Sequence, residues 1–229
     1  MGCAAAGQNI LHWLWPETCA HCREDLPKDN RGPLCLRCRL RLIPYEPSRL
    51  TVDNWGACSR VCSPFLYREA AISVVHAFKF RGRRGAARAA GSWMGQAWPR
   101  FPQLGRPDAL VPMPLHPGRR RERGYNQALL IAEALSVFLG IEVQEPVKRL
   151  RRTRPQWALS REQRRENLKN AFFCACEAVK GKRLLLIDDV CTSGASLETC
   201  AQALKAAGAA SVFGYVFARQ TAGALRENG

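Results

Sequence analysis

Apolar residues recur along this chain with two different periods, and the changes between them mark its elements. Leu184, Leu185, Leu186 and Ile187 form an unbroken apolar run. Such a run predicts a strand at 184–187 covered on both faces, because neither face has to meet water. Segments at 108–111, 141–147, 171–173 and 211–217 read as further strands. Between them the spacing is helical. Ala70, Ile72, Val74, Val75, Ala77 and Phe78 crowd one helix, and 86–98 forms a second beyond the RGRRG break. Tyr125, Ala128, Leu129, Ala132, Leu135 and Leu139 line a third helix, which Gly140 stops, and a fourth over 195–207 ends at Gly208. Strands alternating with helices predict an α/β fold, a parallel sheet flanked by helices.

The first 62 residues read differently. They hold few long apolar runs and many turn residues (LPKDNRGP), together with Cys19-x2-Cys22 and Cys35-x2-Cys38. Two short thiol turns at this spacing supply the four soft ligands of a tetrahedral zinc. Structural zinc, rather than a large apolar core, is expected to hold the segment together as a zinc-ribbon-like module. The chain therefore divides into a cysteine-rich module at 1–62 and an α/β domain at 63–229. His12 and His21 are alternative nitrogen ligands, and Cys58 with Cys62 leaves a second metal site open. Cys174, Cys176, Cys191 and Cys200 have no ligand spacing and read as small apolar fillers.

Charge narrows the partners. Lysine and arginine number 35 against 19 acids, a net charge of +16. One concentration runs through Arg119, Arg120, Arg121 and Arg123 and on through Lys148, Arg149, Arg151, Arg152, Arg154, Arg161, Arg164 and Arg165. Another comprises Lys79, Arg81, Arg83, Arg84 and Arg88. A basic surface can simply be solvated, but the planar fork of arginine suits phosphate, so polyanions and phosphorylated metabolites are the expected partners. No apolar run approaches a membrane span, and ILHWLWP near the start lacks the basic flank and cleavage site of a signal peptide. The expectation is a soluble, cytoplasmic protein.

The stretch 184–196, LLLIDDVCTSGAS, joins the apolar strand to two acids, a small hydroxyl-rich turn and a helix start. In that geometry free backbone N–H groups face an anion. A Walker loop would need a lysine after Gly194, and a dinucleotide fingerprint would need more than this turn's one glycine. A receiver domain would need an aspartate two strands on, and none follows Asp189.

The stretch resembles the phosphoribosyl pyrophosphate signature of type I phosphoribosyltransferases: apolar strand, two acids, two residues, then a Thr/Ser-Gly turn. The resemblance implies that fold. It also implies that Asp188 and Asp189 are the catalytic acids, accepting hydrogen bonds from the two ribose hydroxyls. Thr192, Ser193, Gly194, Ala195 and Ser196 would wrap the 5-phosphate. Upstream, DALVPMPLHPGRRRERGYNQALLIAEAL (108–135) and RLRRTRPQWALSREQRRENLKNAF (149–172) resemble two blocks of the ComF competence family. With the cysteine module, that likeness covers most of the chain. It implies that Val111, Pro112, Met113, Pro114 and Leu115 form a pyrophosphate-contacting loop, followed by Arg123, Gly124, Asn126 and Gln127. Thr153, Gln156, Arg164, Asn167, Ala171 and Phe172 would belong to a later block that includes a hood over the site.

Mg²⁺ is implied with the phosphoribosyl pyrophosphate, and a role in natural competence implies single-stranded DNA and the DNA-uptake machinery as partners. The arginines of 119–123 and 148–165 would carry the DNA, with Trp157 as a stacking platform. Thr192 stands where purine-salvage members place a base-contacting acid, so hypoxanthine or guanine salvage is not expected. The alternatives are a metabolic phosphoribosyltransferase with a structural zinc module, whose acceptor the sequence does not name, and a nucleic-acid adaptor with a vestigial sugar-phosphate site.

Overall fold

The computed structural model describes residues 17–30, 32–45, 56–150, 171–174 and 176–221. Its strands are β1 (Val61–Cys62), β2 (Phe65–Leu66), β3 (Ala109–Pro112), β4 (Val147–Arg149), β5 (Phe172–Cys174), β6 (Arg183–Cys191) and β7 (Ser211–Arg219). Its helices are α1 (Leu36–Arg39), α2 (Glu69–Phe80), α3 (Arg84–Ala97), α4 (Pro117–Arg123), α5 (Gln127–Leu139) and α6 (Ala195–Ala206). Five strands form a parallel sheet in the order β1-β7-β6-β3, with β2 also paired to β7. The expected alternation of strands and helices is present.

Successive side chains of a strand point to opposite faces, and here the faces carry separate cores. Leu110, Leu185, Ile187, Tyr215 and Phe217 pack with α2, α3 and α5. Val111, Leu184, Leu186, Val212 and Val216 pack instead with α6 and with Val147, Phe172 and Cys174. Cys191 and Cys200 are buried there too, as apolar fillers.

Four details differ from the sequence pattern. β6 does not stop at Ile187 but runs through both acids, with Asp188 opposite Val216 and Cys191 opposite Arg219. Pairing with β7 overrides the poor strand preference of aspartate. The strand expected over 141–147 reduces to one parallel bridge, Leu110 to Val143. Pro146 has no N–H to continue the ladder, and the chain re-forms as β4, which pairs antiparallel with β5 in a separate ribbon. Helix α4 was not anticipated. Pro117 opens it, His116 Nδ1 accepts from the Gly118 N–H at 3.0 Å, and Gly124 closes it at φ +80°. Finally, the cysteine segment does not rest on its thiols alone: Ala20, Leu26, Leu34 and Leu42 are buried in the same apolar cluster as α2 and α3. Val61 and Cys62 pair with Gly214 and Tyr215, so the sheet begins before residue 63.

Helices α3 and α5 approach closely because α3 presents glycines. A Cβ on Gly91 would meet the Ile131 carbonyl and come within 2.8 Å of Ala134 Cβ, whereas at Gly85 nothing lies within 4 Å. Helix propensity favours alanine at both sites by about 1 kcal/mol. Gly91→Ala is nevertheless expected to lose about 1–3 kcal/mol through overpacking, and Gly85→Ala to gain up to about 1 kcal/mol. Urea unfolding of the two variants checks the opposite signs.

Candidate functional site

β6 carries both acids to the carboxyl edge of the sheet, and because they are adjacent in a continuous strand they leave it on opposite faces. Asp189 follows Leu185 and Ile187 toward α2 and is only 3% exposed. Lys79, in the last turn of α2, donates to Asp189 Oδ1 at 2.6 Å. The other oxygen, Oδ2, is buried without a hydrogen-bond partner. Asp188 follows Leu184 and Leu186 toward α6, and its Oδ1 accepts from the Asp189 N–H at 2.8 Å. Burial and the neighbouring Asp189 charge push the Asp188 carboxyl up to about 7, against the opposing pull of Lys79 and Arg149. Burial also acts to lower the Lys79 pKa, but the charge of Asp189 outweighs it and leaves the ammonium above its ordinary range.

Arginines surround the acids. Arg149, at the end of β4, lies with its guanidinium 5.4 Å from the Phe172 ring centroid, and burial together with Arg119 lowers its pKa. Arg123 donates to Gln127 Oε1, and its own pKa is lowered by burial against the pull of Asp189. Arginine stays protonated in proteins, so two cations, Arg123 from α4 and Arg149 from β4, converge here.

The flanking loops are fixed by backbone bonds. The Met113 N–H donates to the Ile187 carbonyl at 2.9 Å, continuing the β3–β6 ladder past Pro112. Asn126 caps α5 through the Ala128 N–H and ties it to the Met113 carbonyl, both at 3.1 Å. Val111 and Pro112 lie in the strand and are buried, as is Met113, so Pro114 and Leu115 are the more open members of that loop. On the other side Gly194 takes φ +70°, which favours glycine, and opens α6. Thr192 is exposed, while Ser193, Ala195 and Ser196 are half-buried. Ser193 Oγ is buried with no hydrogen-bond partner. The fold thus brings the acids, residues 113–115, Arg123 and the 192–196 turn to one sheet edge. Thr153, Gln156, Trp157, Arg164 and Asn167 lie outside the described residues.

Lys79 was not singled out as a site residue by sequence reasoning. A signal was present: it stands four and eight residues beyond the buried Val75 and Ala71, on a face of α2 that is otherwise apolar.

The cysteines gather on the far side of α2 and α3. The sulfurs of Cys19, Cys22, Cys35 and Cys38 all lie within 4.8 Å of one another, with Cys22 and Cys35 3.8 Å apart. Tetrahedral bonds of about 2.3 Å to one ion require sulfurs about 3.8 Å apart. Burial raises the Cys19 thiol, but the N–H groups of Cys22, Cys35 and His21 outweigh it and leave it at about 6. Cys38 is pushed up to about 12 by burial and by the other three sulfurs. Four thiolates this close need a cation to share their charge, so the cluster could hold a metal ion. Among the described residues it is the only such group. Cys58 donates to the Arg60 carbonyl, Cys62 accepts from Gln103, and His21 shares a 3.0 Å hydrogen bond with Ser73. His12 lies outside the described residues.

Residues 127–229 match the family described as Phosphoribosyl transferase domain. The chain is 32% identical over 211 residues to Competence protein F of Haemophilus influenzae, spanning 83% of this chain and 91% of that one. It is 32% identical over 208 residues to DNA utilization protein YhgH of Salmonella typhimurium, spanning 89% of each. It is 31% identical over 218 residues to Competence protein ComFC of Bacillus subtilis, spanning 89% of this chain and 84% of the relative.

The ion pair between α2 and β6 has a measurable consequence. Asp189→Asn leaves Lys79 largely buried beside a neutral amide and should cost about 3–5 kcal/mol. Adding Lys79→Met removes the stranded charge and should recover most of that loss. A double-mutant cycle by urea unfolding tests the coupling; additive losses would show that the two groups do not interact.

Proposed function

The chain belongs to the ComF family of competence and DNA-utilization proteins, on a type I phosphoribosyltransferase fold, and from that premise we propose that it binds phosphoribosyl pyrophosphate with Mg²⁺ and serves DNA uptake by handling single-stranded DNA. The observation that supports this most is one sheet edge bearing a carboxylate on each face, a hydroxyl turn with an unpartnered Ser193 Oγ, and converging arginines. Asp188 and Asp189 Oδ2 are the acceptors for the ribose hydroxyls. Thr192, Ser193, Gly194, Ala195 and Ser196 receive the 5-phosphate at the start of α6. The loop at 113–115, Arg123 and Arg149 face the pyrophosphate. Mg²⁺, when bound, supplies charge neutralisation beside these acids. The arginines of α4 and the net charge of +16 support a larger anion than the metabolite alone.

The cysteine cluster is read as a structural zinc site, in a cytoplasmic protein whose thiols stay reduced. A second reading, transfer of the phosphoribosyl group to a small acceptor, draws on a cavity of about 590 Å³ lined by Pro44, Tyr45, Leu66, Arg68 and Thr221. That cavity lies at the same carboxyl edge, past the ends of β2 and β7.

Two measurements test the proposal. Asp188→Asn keeps an oxygen for the Asp189 N–H but removes the charge, and a hydrogen bond to a charged group contributes about 1.5–3 kcal/mol. Calorimetric titration with phosphoribosyl pyrophosphate and Mg²⁺ should therefore show about 10- to 100-fold weaker binding. Because the Asp188 carboxyl titrates at about 7, wild-type affinity should fall as pH drops below that value, while the variant should show a flatter profile. Absence of wild-type binding at pH 8 would end the sugar-phosphate reading, and product analysis against bases and amines decides whether transfer occurs. Separately, elemental analysis should find about one zinc per chain, by four-thiolate stoichiometry. Chelation should lower the unfolding temperature; metal-free protein of unchanged stability would overturn the zinc assignment.

A further inference from the structure

Helix α2 spends one face on the core and leaves an unusual pair on the other. Ala70, Ala71, Val74, Val75, Ala77 and Phe78 are buried. His76 and Phe80, four residues apart, stand on the outer side with rings meeting edge to face at 5.3 Å. Phe80 is 72% exposed. A single exposed apolar side chain is ordinary, but the surroundings of this one are not. The chain continues as Arg81-Gly82-Arg83-Arg84-Gly85, with Gly82 at φ +66° making the turn into α3.

Arg83 is engaged by the Thr18 carbonyl and Glu17. Arg81 and Arg88 are exposed, and among the described residues no acid pairs with either. Arg84 and Arg88, one helical turn apart, share a face of α3. Arg84 also donates to the Gly124 carbonyl at 3.3 Å and sits 5.1 Å from the Tyr125 ring centroid. That contact joins the turn to α4 and its arginines. On the other side Lys79, next to Phe80, reaches Asp189.

We infer that the α2–α3 turn is a docking surface for single-stranded DNA, with Phe80 as a base-stacking platform and Arg81, Arg84 and Arg88 as phosphate contacts. The inference rests on the DNA-handling reading and names where it happens. An unpaired base offers a free π-face to Phe80 whatever its identity, which a duplex does not. The arginine fork suits the phosphates between bases. Charge complementarity selects a polyanion for a surface of this composition, and the Arg84 contact with Gly124 and Tyr125 sets it beside the arginines of α4.

The two kinds of contact leave different signatures. Binding of a fluorescent oligothymidine should be followed across a salt series for wild type, Phe80→Ala and the double variant Arg81→Gln/Arg88→Gln. Phe80→Ala should weaken binding about five- to hundredfold, the loss expected for one stacked base. It should leave the slope of log affinity against log salt unchanged, because stacking releases no counterions. The double variant should flatten that slope by about 1.4, from roughly 0.7 for each lost phosphate contact to a single strand. All these side chains are exposed, so unfolding temperature and metal content should stay at wild-type values.

Duplex of the same sequence and phosphatidylglycerol vesicles complete the test. Phe80→Ala should spare duplex binding. Wild type that fails to bind oligothymidine at low salt would end the DNA-handling reading altogether. Wild type that binds, with both variants unchanged in affinity and slope, would overturn this surface alone and leave the DNA reading standing. Loss of vesicle binding in Phe80→Ala with oligonucleotide affinity intact would also overturn it, assigning the patch to a membrane surface.

Discussion

The pleat of one central strand governs the arrangement at the carboxyl edge. β6 is paired on both sides, to β3 and β7, and covered on both faces. It cannot swivel to present two neighbouring acids to the same side, so each face receives one. The two carboxylates then live in different surroundings. Asp189 is enclosed and neutralised by a lysine from α2. Asp188 has a nearby cation, Arg149, contributed by the β4–β5 ribbon, and burial still holds its proton to about 7. The acids are chemically unequal before any ligand arrives: one is held in a buried ion pair, the other is a group that titrates near neutrality.

Helix α2 links that edge to the cysteine cluster. It starts beside β2, and its last turn reaches Asp189 and the start of α5, where the Tyr125 hydroxyl donates to the Phe78 carbonyl. From behind, the cysteine segment is fastened by His21 to Ser73 and by Arg83 to the Thr18 carbonyl. Arg39 bonds Gln96 and lies 5.5 Å from the Trp93 ring centroid. The thiols sit far from the acids in sequence, yet they brace the helix that positions the lysine. The cluster and Asp189 thus pack against the same helix without touching each other.

Much of this was legible from residue order. Continuous apolar runs located β6 and β7, and Gly140 and Gly208 located helix ends, because these depend on local periodicity and backbone freedom. The cysteine spacing identified the cluster for the same reason: two short turns define it. Other features depend on partners remote in sequence. Nothing local says that β6 continues through two aspartates, since it is β7 that holds them in the ladder. β1 and β2 are too short to read as strands, being interrupted by Pro64, whose missing N–H breaks the pairing. Lys79 looked like one member of a basic group until the crossing of α2 over β6 gave it a counter-charge.

The same distant pairing governs the order of assembly. Val61 and Cys62 have Gly214 and Tyr215 as their partners, about 150 residues later in the chain. A ribosome delivers the cysteine turns and the residues of β1 and β2 long before β7 exists. Those strands must wait unpaired, with Ser63 lacking the Phe217 carbonyl it will later meet. Closing so long a loop carries an entropic cost that only the completed sheet repays. The strands made first are thus among the last to be paired.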